Sequence, residues 1–340
     1  RFNNSLSLEL LMFLLFFSSL TMFLSGLAAN FEIDLKKIIA LSTLKQLGLM
    51  MSILALGEVL LSFFHLLMHA LFKALLFMCA GSVIHSLNNN QDIRVMGSLL
   101  KFFPLTSCFF NICNMCLCGL PFFSGFYSKD LILEFISMGY VNCYIYFMFY
   151  ISSGLTVSYS VRLIYYTMVG DLMGLSYFSF YEFKNLIKGM GGLILNTVFM
   201  GSLVSWIIFP SPYFICLPLF MKCFVLLNIF IGGFVGQLIY TVRVNEVSLS
   251  SEFLGMVYFF SSILNLFNLS TFGAIKFTLK ASGMMNVMGE QGWLEYYGSQ
   301  NLFFLLKKSS GFMNFSNMKV FMILILIWIF LLICFDSLLE

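Results

Sequence analysis

The sequence predicts an all-α, polytopic membrane helix bundle, and its composition and its apolar patterning both indicate this fold class. Of the 340 residues, 60% are hydrophobic and 10% are charged, and the mean hydropathy is +0.96. Soluble domains carry about 25% charged residues. The apolar runs are about 20 residues long, as a spanning helix requires, and do not alternate like barrel strands. Because lipid gives backbone groups no hydrogen-bond partner, we expect these runs to be helices.

Nine candidate spans follow one another and are joined mostly by short loops. In chain order they cover residues 8–29, 36–56, 59–87, 102–118, 121–139, 143–168, 189–209, 221–242 and 319–337. Loops such as 30–37, 88–97 and 170–189 leave no room for an extramembrane domain, so any chemistry is expected within the membrane. The net charge of +3 is spread without a basic block and gives no sign of nucleic-acid binding. Residue 1 is Arg and the start lacks a signal-peptide layout, so we expect upstream residues to be missing.

The run 59–87 is apolar but carries three ionisable residues, His65, His69 and Lys73. On a helix their spacing gives a rise of about 6 Å and a rotation of about 40° between successive members, which forms one polar stripe. Lys73 lies near the middle of the run, where a lysine costs roughly 2.5–3.5 kcal/mol and marks a functional site by default. We therefore predict a proton or ion relay in this helix. The alternative is that these side chains only hydrogen-bond to neighbouring helices.

The run 121–139 is the second unusual span. Two glycines and a proline lie close together at its start, namely Gly119, Pro121 and Gly125. Three ionisable residues follow them, namely Lys129, Asp130 and Glu134. A helix break at membrane depth must face protein or a water-filled cavity, and such breaks recur at transporter ion sites. We predict a discontinuous helix whose second half begins near 124–126, with Lys129 close to its positive end. The alternative is a solvated loop over 125–130.

The C-terminal third differs in character. In 246–318 apolar residues recur at helical spacing with polar residues between them, which is typical of an amphipathic segment lying along a surface. A conventional span through 253–275 is the alternative. The run 319–337 is featureless and is predicted to be an anchor. The predicted organisation is thus a bundle over 1–245, an amphipathic region over 246–318 and an anchor over 319–340.

The sequence predicts no metal or haem site. Cys113, Cys116 and Cys118 lie in an apolar run without further ligands and are interpreted as buried small hydrophobic residues. A haem between helices would need a histidine on a facing span, and the third histidine, His85, ends the same run as the other two. Zinc would need another ligand, and an HExxH pattern is absent.

Four further features are interpreted without assigning them a function. Lys45 and Glu58 are predicted to snorkel from span ends, and for Lys45 the alternative is an added charge near the axis of the bundle. Arg162 lies inside the span 143–168 and could also reach an interface. Gly232 and Gly236 form a small-xxx-small pair, which is more typical of helix packing than of function.

Several segments resemble the family of mitochondrial NADH–ubiquinone oxidoreductase chain 5, an antiporter-like membrane subunit of respiratory complex I. The resemblance is close at 34–48, 64–99 and 120–134, while 154–166 and 291–300 look like the arthropod form. It implies an antiporter-like bundle in the mitochondrial inner membrane that moves protons. Other subunits would oxidise NADH and reduce ubiquinone, so NAD, FMN and Fe–S clusters are expected there and no cofactor in this chain.

The resemblance also implies roles for particular residues. Lys73 resembles the central-axis lysine, with His65 and His69 connecting it, and Lys129 resembles the lysine of the discontinuous helix. Asp130 and Glu134, which follow Lys129, are predicted to take a lesser part in the same proton relay. Residues 247–318 would form a long lateral helix along neighbouring membrane-arm subunits, which are the expected partners together with the lipid bilayer.

Three departures from the family pattern stand out. The family's upstream half, with its own glutamate–lysine pair, is absent from this sequence. Met68 and Lys45 stand where the family commonly has Thr and Ser. Two other functions remain possible at this stage, namely a stand-alone Mrp-type cation/proton antiporter subunit and a purely structural membrane scaffold.

Overall fold

The computed structural model describes residues 5–139, 142–173, 181–245, 254–262 and 266–339. These residues are overwhelmingly helical and include no β-strand beyond one isolated bridge between Asp34 and Asp92. The chain forms two compact units, 1–264 and 265–340. The predicted all-α fold class is confirmed.

The first unit contains ten helices among the described residues. They are α1 (Leu8–Phe31), α2 (Leu35–Ala55), α3 (Val59–Ser86), α4 (Leu99–Phe102), α5 (Pro104–Cys118), α6 (Ser124–Met138), α7 (Cys143–Ile164), α8 (Lys184–Ile208), α9 (Leu219–Asn245) and α10 (Leu254–Ser261). A π-helical turn, Tyr165–Val169, extends α7. Helix α8 begins five residues before the predicted position 189, so the loop predicted over 170–189 is shorter than expected. Residues 174–180 of this loop lie outside the described part of the chain.

The second unit is helical throughout its described residues. Its segments are α11 (Leu266–Asn268), α12 (Ala274–Met285) and α13 (Asn301–Leu339), with π-helical stretches Leu269–Gly273, Asn286–Leu294 and Tyr296–Gln300 between them. The backbone stays helical across 318 and 319, where the anchor was predicted to begin. The boundaries at 245 and 318 and the lateral and anchor roles stay predictions, and residues 246–253 lie outside the described part.

Six helical stretches in the described residues are long and apolar enough to cross a membrane. They are Leu8–Phe31, Leu35–Ala55, Val59–Ser86, Lys184–Ile208, Leu219–Tyr240 and Leu269–Leu332. A bilayer core about 30 Å thick needs about 20 such residues. The chain is therefore a polytopic membrane protein.

The predicted discontinuous helix is present as α5 and α6. Helix α5 ends at Gly119, which has φ +83° and caps the carbonyls of Met115 and Cys116. Its positive φ suits glycine, which lacks a Cβ. The second half begins at Ser124, and a Cβ on Gly125 would overlap the Cys116 carbonyl. The two half-helices therefore touch backbone to backbone, which requires glycine at 125.

Helix α3 lies at the centre of the first unit, where it packs against α2, α5, α6 and α8. Helix α7 packs against α1, α5, α6 and α9. Close packing of α9 on α7 depends on Gly232 and Gly236, because a Cβ at either position would stand 2.5 Å from a backbone oxygen of α7. The packing interpretation of this pair is confirmed, and the polar residues of α3 face several helices at once.

Candidate functional site

Three lysines are buried in the interior of the first unit. Lys45 on α2, Lys73 on α3 and Lys129 on α6 are 2%, 4% and 2% exposed. Burying an ammonium group is costly unless it is paired or hydrogen-bonded. The two ion pairs found among the described residues involve other cations, Lys37 and Arg94. The hydrogen bonds of the buried lysines therefore decide how the interior accommodates them.

Lys73 lies at the midpoint of α3 and is held by α2. Its Nζ donates a hydrogen bond to the Ser42 hydroxyl. That hydroxyl in turn donates to the Ile39 carbonyl at 2.7 Å. The lysine is thus bound through a neutral group, so its proton has a partner but no counter-charge.

His65 joins three helices. Its Nε2 lies 3.2 Å from the Gln46 Oε1 on α2, and its Nδ1 lies 3.0 Å from the Ser128 Oγ on α6. Because an amide oxygen only accepts, this arrangement places the proton of a neutral ring on Nε2 and leaves Nδ1 to accept from the Ser128 hydroxyl. Ser128 directly precedes Lys129, so His65 connects α3 to the broken helix.

His69 lies between His65 and Lys73 on the same face of α3. The two imidazole centroids are 6.3 Å apart, and the His69 ring meets Phe72 edge to face at 5.3 Å. Its Nε2 is buried and makes no hydrogen bond to the described protein atoms. The structure therefore brings the predicted stripe of His65, His69 and Lys73 into the interior, although the separations exceed direct hydrogen-bond reach.

Lys129 is bound by the end of the preceding half-helix. Its Nζ donates to the carbonyls of Leu117 and Cys118 at 3.3 and 3.2 Å, and to the Thr156 hydroxyl on α7 at 2.8 Å. The last carbonyls of a helix lack intrahelical partners and form its negative end. Lys129 lies near the start of α6, as predicted, and its side chain also reaches back across the break to the negative end of α5.

The two carboxylates after Lys129 differ in placement. Asp130 is buried, and its Oδ1 has no hydrogen-bond partner among the described residues. This oxygen stands beside Gly119, 3.2 Å from where a Cβ would lie. Glu134 is half-buried. Neither forms an ion pair with Lys129 by distance, so their membership of the relay stays a prediction.

For Lys45 the structure decides between the two alternatives, because this lysine is buried and does not snorkel. The residue lies in the centre of α2, buried, and its Nζ donates to the Ser152 carbonyl of α7. It also lies 5.4 Å from the centroid of the Tyr159 ring. Its position at the middle of the span 36–56 is the sequence signal that favours the second alternative, a charge inside the bundle. Glu58, by contrast, precedes α3 and accepts a hydrogen bond from the Tyr213 hydroxyl at 2.7 Å.

Arg162 ties α7 to the end of α1. Its guanidinium donates to the carbonyls of Ala29 and Glu32 at 3.0 and 2.5 Å. Both carbonyls are at the C-terminal end of α1, where a cation is favourable. Burial raises the pKa of the Glu32 carboxyl above its usual range, while the charges of Lys37 and Arg162 act in the opposite direction. Arg162 is therefore a structural clamp between two helices.

The cysteines of α5 make packing contacts. The Cys118 Sγ lies 2.9 Å from the Ser160 Oγ, and the Cys116 Sγ lies 3.9 Å from the Thr197 carbonyl. Cys113 is fully buried. In the part of the chain that the structure describes, no group of three or more His, Cys, Asp or Glu side chains is placed to hold a metal ion.

Comparisons with known proteins cover nearly the whole chain. Residues 2–157 match the family described as NADH:quinone oxidoreductase/Mrp antiporter, TM, and residues 159–335 match NADH dehydrogenase subunit 5 C-terminus. NADH-ubiquinone oxidoreductase chain 5 of Locusta migratoria is 48% identical over 94% of this chain and 57% of that protein. The Anopheles gambiae protein of the same name is 46% identical over 98% of this chain and 58% of its own length. This chain thus spans somewhat over half the length of these relatives.

Two solved structures share the fold. A chain of the Mrp complex from a Dietzia species superposes with a TM-score of 0.57 and 18% identity, over 79% of this chain and 31% of that chain. A chain of the archaeal membrane-bound sulfane sulfur reductase superposes with a TM-score of 0.51 and 22% identity, over 67% and 44%. The antiporter-like architecture is therefore confirmed.

Proposed function

The chain belongs to the NADH dehydrogenase subunit 5 family, and from that premise we propose that it is a proton-translocating membrane subunit of respiratory complex I. In this role it is a multi-pass protein of the mitochondrial inner membrane. It contacts other membrane-arm subunits through the helix of its second unit and contacts lipid elsewhere. NAD, FMN, Fe–S clusters and ubiquinone bind to other subunits, and this chain contributes no redox centre.

The observation that carries the proposal is the set of buried lysines bonded to neutral acceptors. An ammonium group without a counter-charge in a low-dielectric interior is close to losing its proton, because burial disfavours the charged form. A change in charge nearby can then decide whether the proton is held or released. Lys73 and Lys129 donate to hydroxyl and carbonyl oxygens, and neither forms an ion pair among the described residues.

The path between the two lysines runs along α3. A proton from Lys73 passes by way of His69 and His65 to the Ser128 hydroxyl, beside which Lys129 lies. Water is needed between these groups, because only the His65–Ser128 step is within hydrogen-bond distance. The unpartnered buried Nε2 of His69 supports this requirement, since buried polar atoms normally have a partner. From Lys129 the proton leaves past Asp130 and Glu134.

The antiporter alternative is not favoured. The Mrp complex shares the fold at 18% identity, whereas chain 5 relatives reach 48% identity over 94% of this chain. The long helix of the second unit also suits a subunit that lies along neighbours, since a stand-alone antiporter has less need of it.

The test removes the proton-carrying groups within the assembled complex. Lys73→Gln and Lys129→Gln each keep a polar side chain, and Lys37→Gln on the exposed start of α2 is the matched control. Each additional 1.4 kcal/mol of barrier, approximately, slows a step about tenfold. We therefore expect proton transfer through this chain to be at least about tenfold slower in the two buried variants, which lowers the number of protons moved per NADH oxidised in membrane vesicles.

Two results would count against the proposal. One is unchanged proton translocation per NADH in both buried variants. The other is recovery of this chain's peptides away from the large NADH-oxidising band when native inner membranes are solubilised and separated by size.

A further inference from the structure

Lys45 is a third buried lysine that the relay along α3 does not use. It lies ten residues from each end of α2 (Leu35–Ala55). At 1.5 Å per residue this is about 15 Å from either helix end, which is beyond the reach of a lysine side chain. Its charge is therefore held inside the bundle, like those of Lys73 and Lys129.

The surroundings of Lys45 contain a space shaped for its side chain. A Cβ on Gly26 of α1 would stand 2.9 Å from the Lys45 Nζ, so glycine at this position makes room for the ammonium group. On the other side the Nζ donates to the Ser152 carbonyl and lies over the Tyr159 ring. A carbonyl and an aromatic face both stabilise a cation but supply no full counter-charge.

Lys45 and Lys129 contact adjacent turns of the same helix. Lys45 bonds to Ser152 and Lys129 bonds to Thr156, which are four residues apart on α7. Positions i and i+4 are separated by about 6 Å along a helix and share a face. The two ammonium groups therefore approach α7 one turn apart, where like charges repel each other through a low-dielectric interior.

The other titratable groups near this pair are unequally distributed. They are Asp130 on α6, Cys118 at the end of α5, His65 on α3 and Tyr159 on α7. Asp130 attracts the charge of Lys129, whereas the acceptors of Lys45 are neutral. If both lysines were protonated, their two positive charges would repel each other. Of the groups named here, the Asp130 carboxylate is the one that would offset this repulsion.

We propose that Lys45 and Lys129 form a coupled pair that holds one proton between them, so that protonation of either lysine drives the proton from the other. The proposal rests on the proposed proton-translocating function and adds a second proton-carrying lysine to it. The step transfers only protons: an N–H bond of one ammonium breaks and its proton moves on along the relay, while the amine of the other lysine takes up a proton. No electron is transferred.

The test compares two substitutions that change the charge at position 45 in opposite ways. Lys45→Gln keeps a hydrogen-bond donor for the Ser152 carbonyl and removes the charge. Lys45→Arg keeps the donor and fixes the positive charge, because a guanidinium is not deprotonated in proteins. Each variant is assembled in the complete complex, and protons moved per NADH are measured against pH. Lys37→Gln is the control on the same helix, and Lys129→Gln reports the function of the relay itself.

Opposite shifts are expected from the two variants. Without repulsion from position 45, Lys129 keeps its proton up to a higher pH. The alkaline limit, which is the pH above which proton translocation declines, therefore moves up by about one pH unit in Lys45→Gln. With a permanent charge at position 45, the same limit in Lys45→Arg moves down by a similar amount. A merely structural hydrogen bond would leave both profiles in place, since both variants keep the donor.

The outcomes separate the two proposals. If Lys129→Gln lowers proton translocation while both Lys45 profiles match the wild type, the coupled pair is overturned and the relay stands. If Lys129→Gln has no effect, the coupled pair is overturned, and the relay is overturned with it when Lys73→Gln has no effect either. If one Lys45 variant does not assemble, the other still gives a shift of predicted sign that decides the proposal.

Discussion

Two regions of the first unit hold cations in opposite ways: the exposed start of α2 with the loop after α3, and the buried interior. At the start of α2 Lys37 pairs with Asp34 at 2.7 Å, and in the loop after α3 Arg94 pairs with Asp92 at 2.6 Å, all four side chains being at least partly exposed. In the interior, the three buried lysines have carbonyl and hydroxyl acceptors instead. The solvated cations form ion pairs with carboxylates, whereas the buried lysines donate to neutral oxygens and form no ion pair among the described residues, although Asp130 lies near Lys129.

Under the proposed function, this contrast favours proton exchange over stability in the interior. A carboxylate beside each buried lysine would lock the ammonium form, because opposite charges attract strongly at low dielectric. Neutral acceptors satisfy the N–H groups and leave the charge weakly held. In the exposed ion pairs the cations stay protonated. These pairs contribute little to stability, since exposed pairs are worth about 0–1 kcal/mol.

The largest expected effect on stability comes from Arg162, a buried cation that has a structural task. Arg162→Met leaves the carbonyls of Ala29 and Glu32 without their guanidinium donor. Each buried carbonyl left unsatisfied costs about 1–3 kcal/mol, so the free energy of unfolding should fall by about 2–5 kcal/mol. Denaturant unfolding of the detergent-solubilised chain measures this loss. Arg162→Lys, which keeps the charge, should recover part of the lost unfolding free energy. If Arg162→Met lowers the unfolding free energy no more than substitution of an exposed lysine does, Arg162 does not hold α7 to α1.

A smaller and opposite effect is expected at Lys73. Lys73→Met replaces a buried ammonium by an apolar side chain of similar length, and the Ser42 hydroxyl keeps its bond to Ile39. Removing a buried charge in favour of apolar packing is often neutral or stabilising by about 1–4 kcal/mol. We expect an unfolding free energy equal to or above that of the wild type, measured as for Arg162, together with loss of proton translocation. Destabilisation by more than about 1 kcal/mol would show that Lys73 is kept for structure.

The smallest effect is expected at the loop end. Lys37→Ala breaks the exposed ion pair with Asp34. The two residues of this pair are three positions apart at the start of α2. Pairs of this kind contribute about 0.3–0.5 kcal/mol and are screened by salt. The change in unfolding free energy should stay below about 0.5 kcal/mol and should shrink further at high ionic strength. A loss comparable with that of Arg162→Met would remove the contrast between the two regions.

Much of the fold followed from local sequence properties. Apolar runs of about 20 residues predicted the helices, and Gly119, Pro121 and Gly125 predicted the break between α5 and α6. The spacing of His65, His69 and Lys73 placed them on one face of α3, because helical periodicity depends only on nearby residues. Their burial at the bundle centre agrees with that prediction.

The sequence by itself therefore determined the helical membrane fold, the position of the break and the identity of most ionisable residues inside. Tertiary structure alone decided what each cation contacts, because the acceptors come from distant parts of the chain. Lys45 bonds to Ser152, 107 residues away, and Lys73 bonds to Ser42, 31 residues away. The contacts of Lys129 with α5 could not be predicted for the same reason, since the break folds the negative end of α5 onto it. Periodicity fixes the face of a helix, whereas only packing fixes which neighbour that face meets.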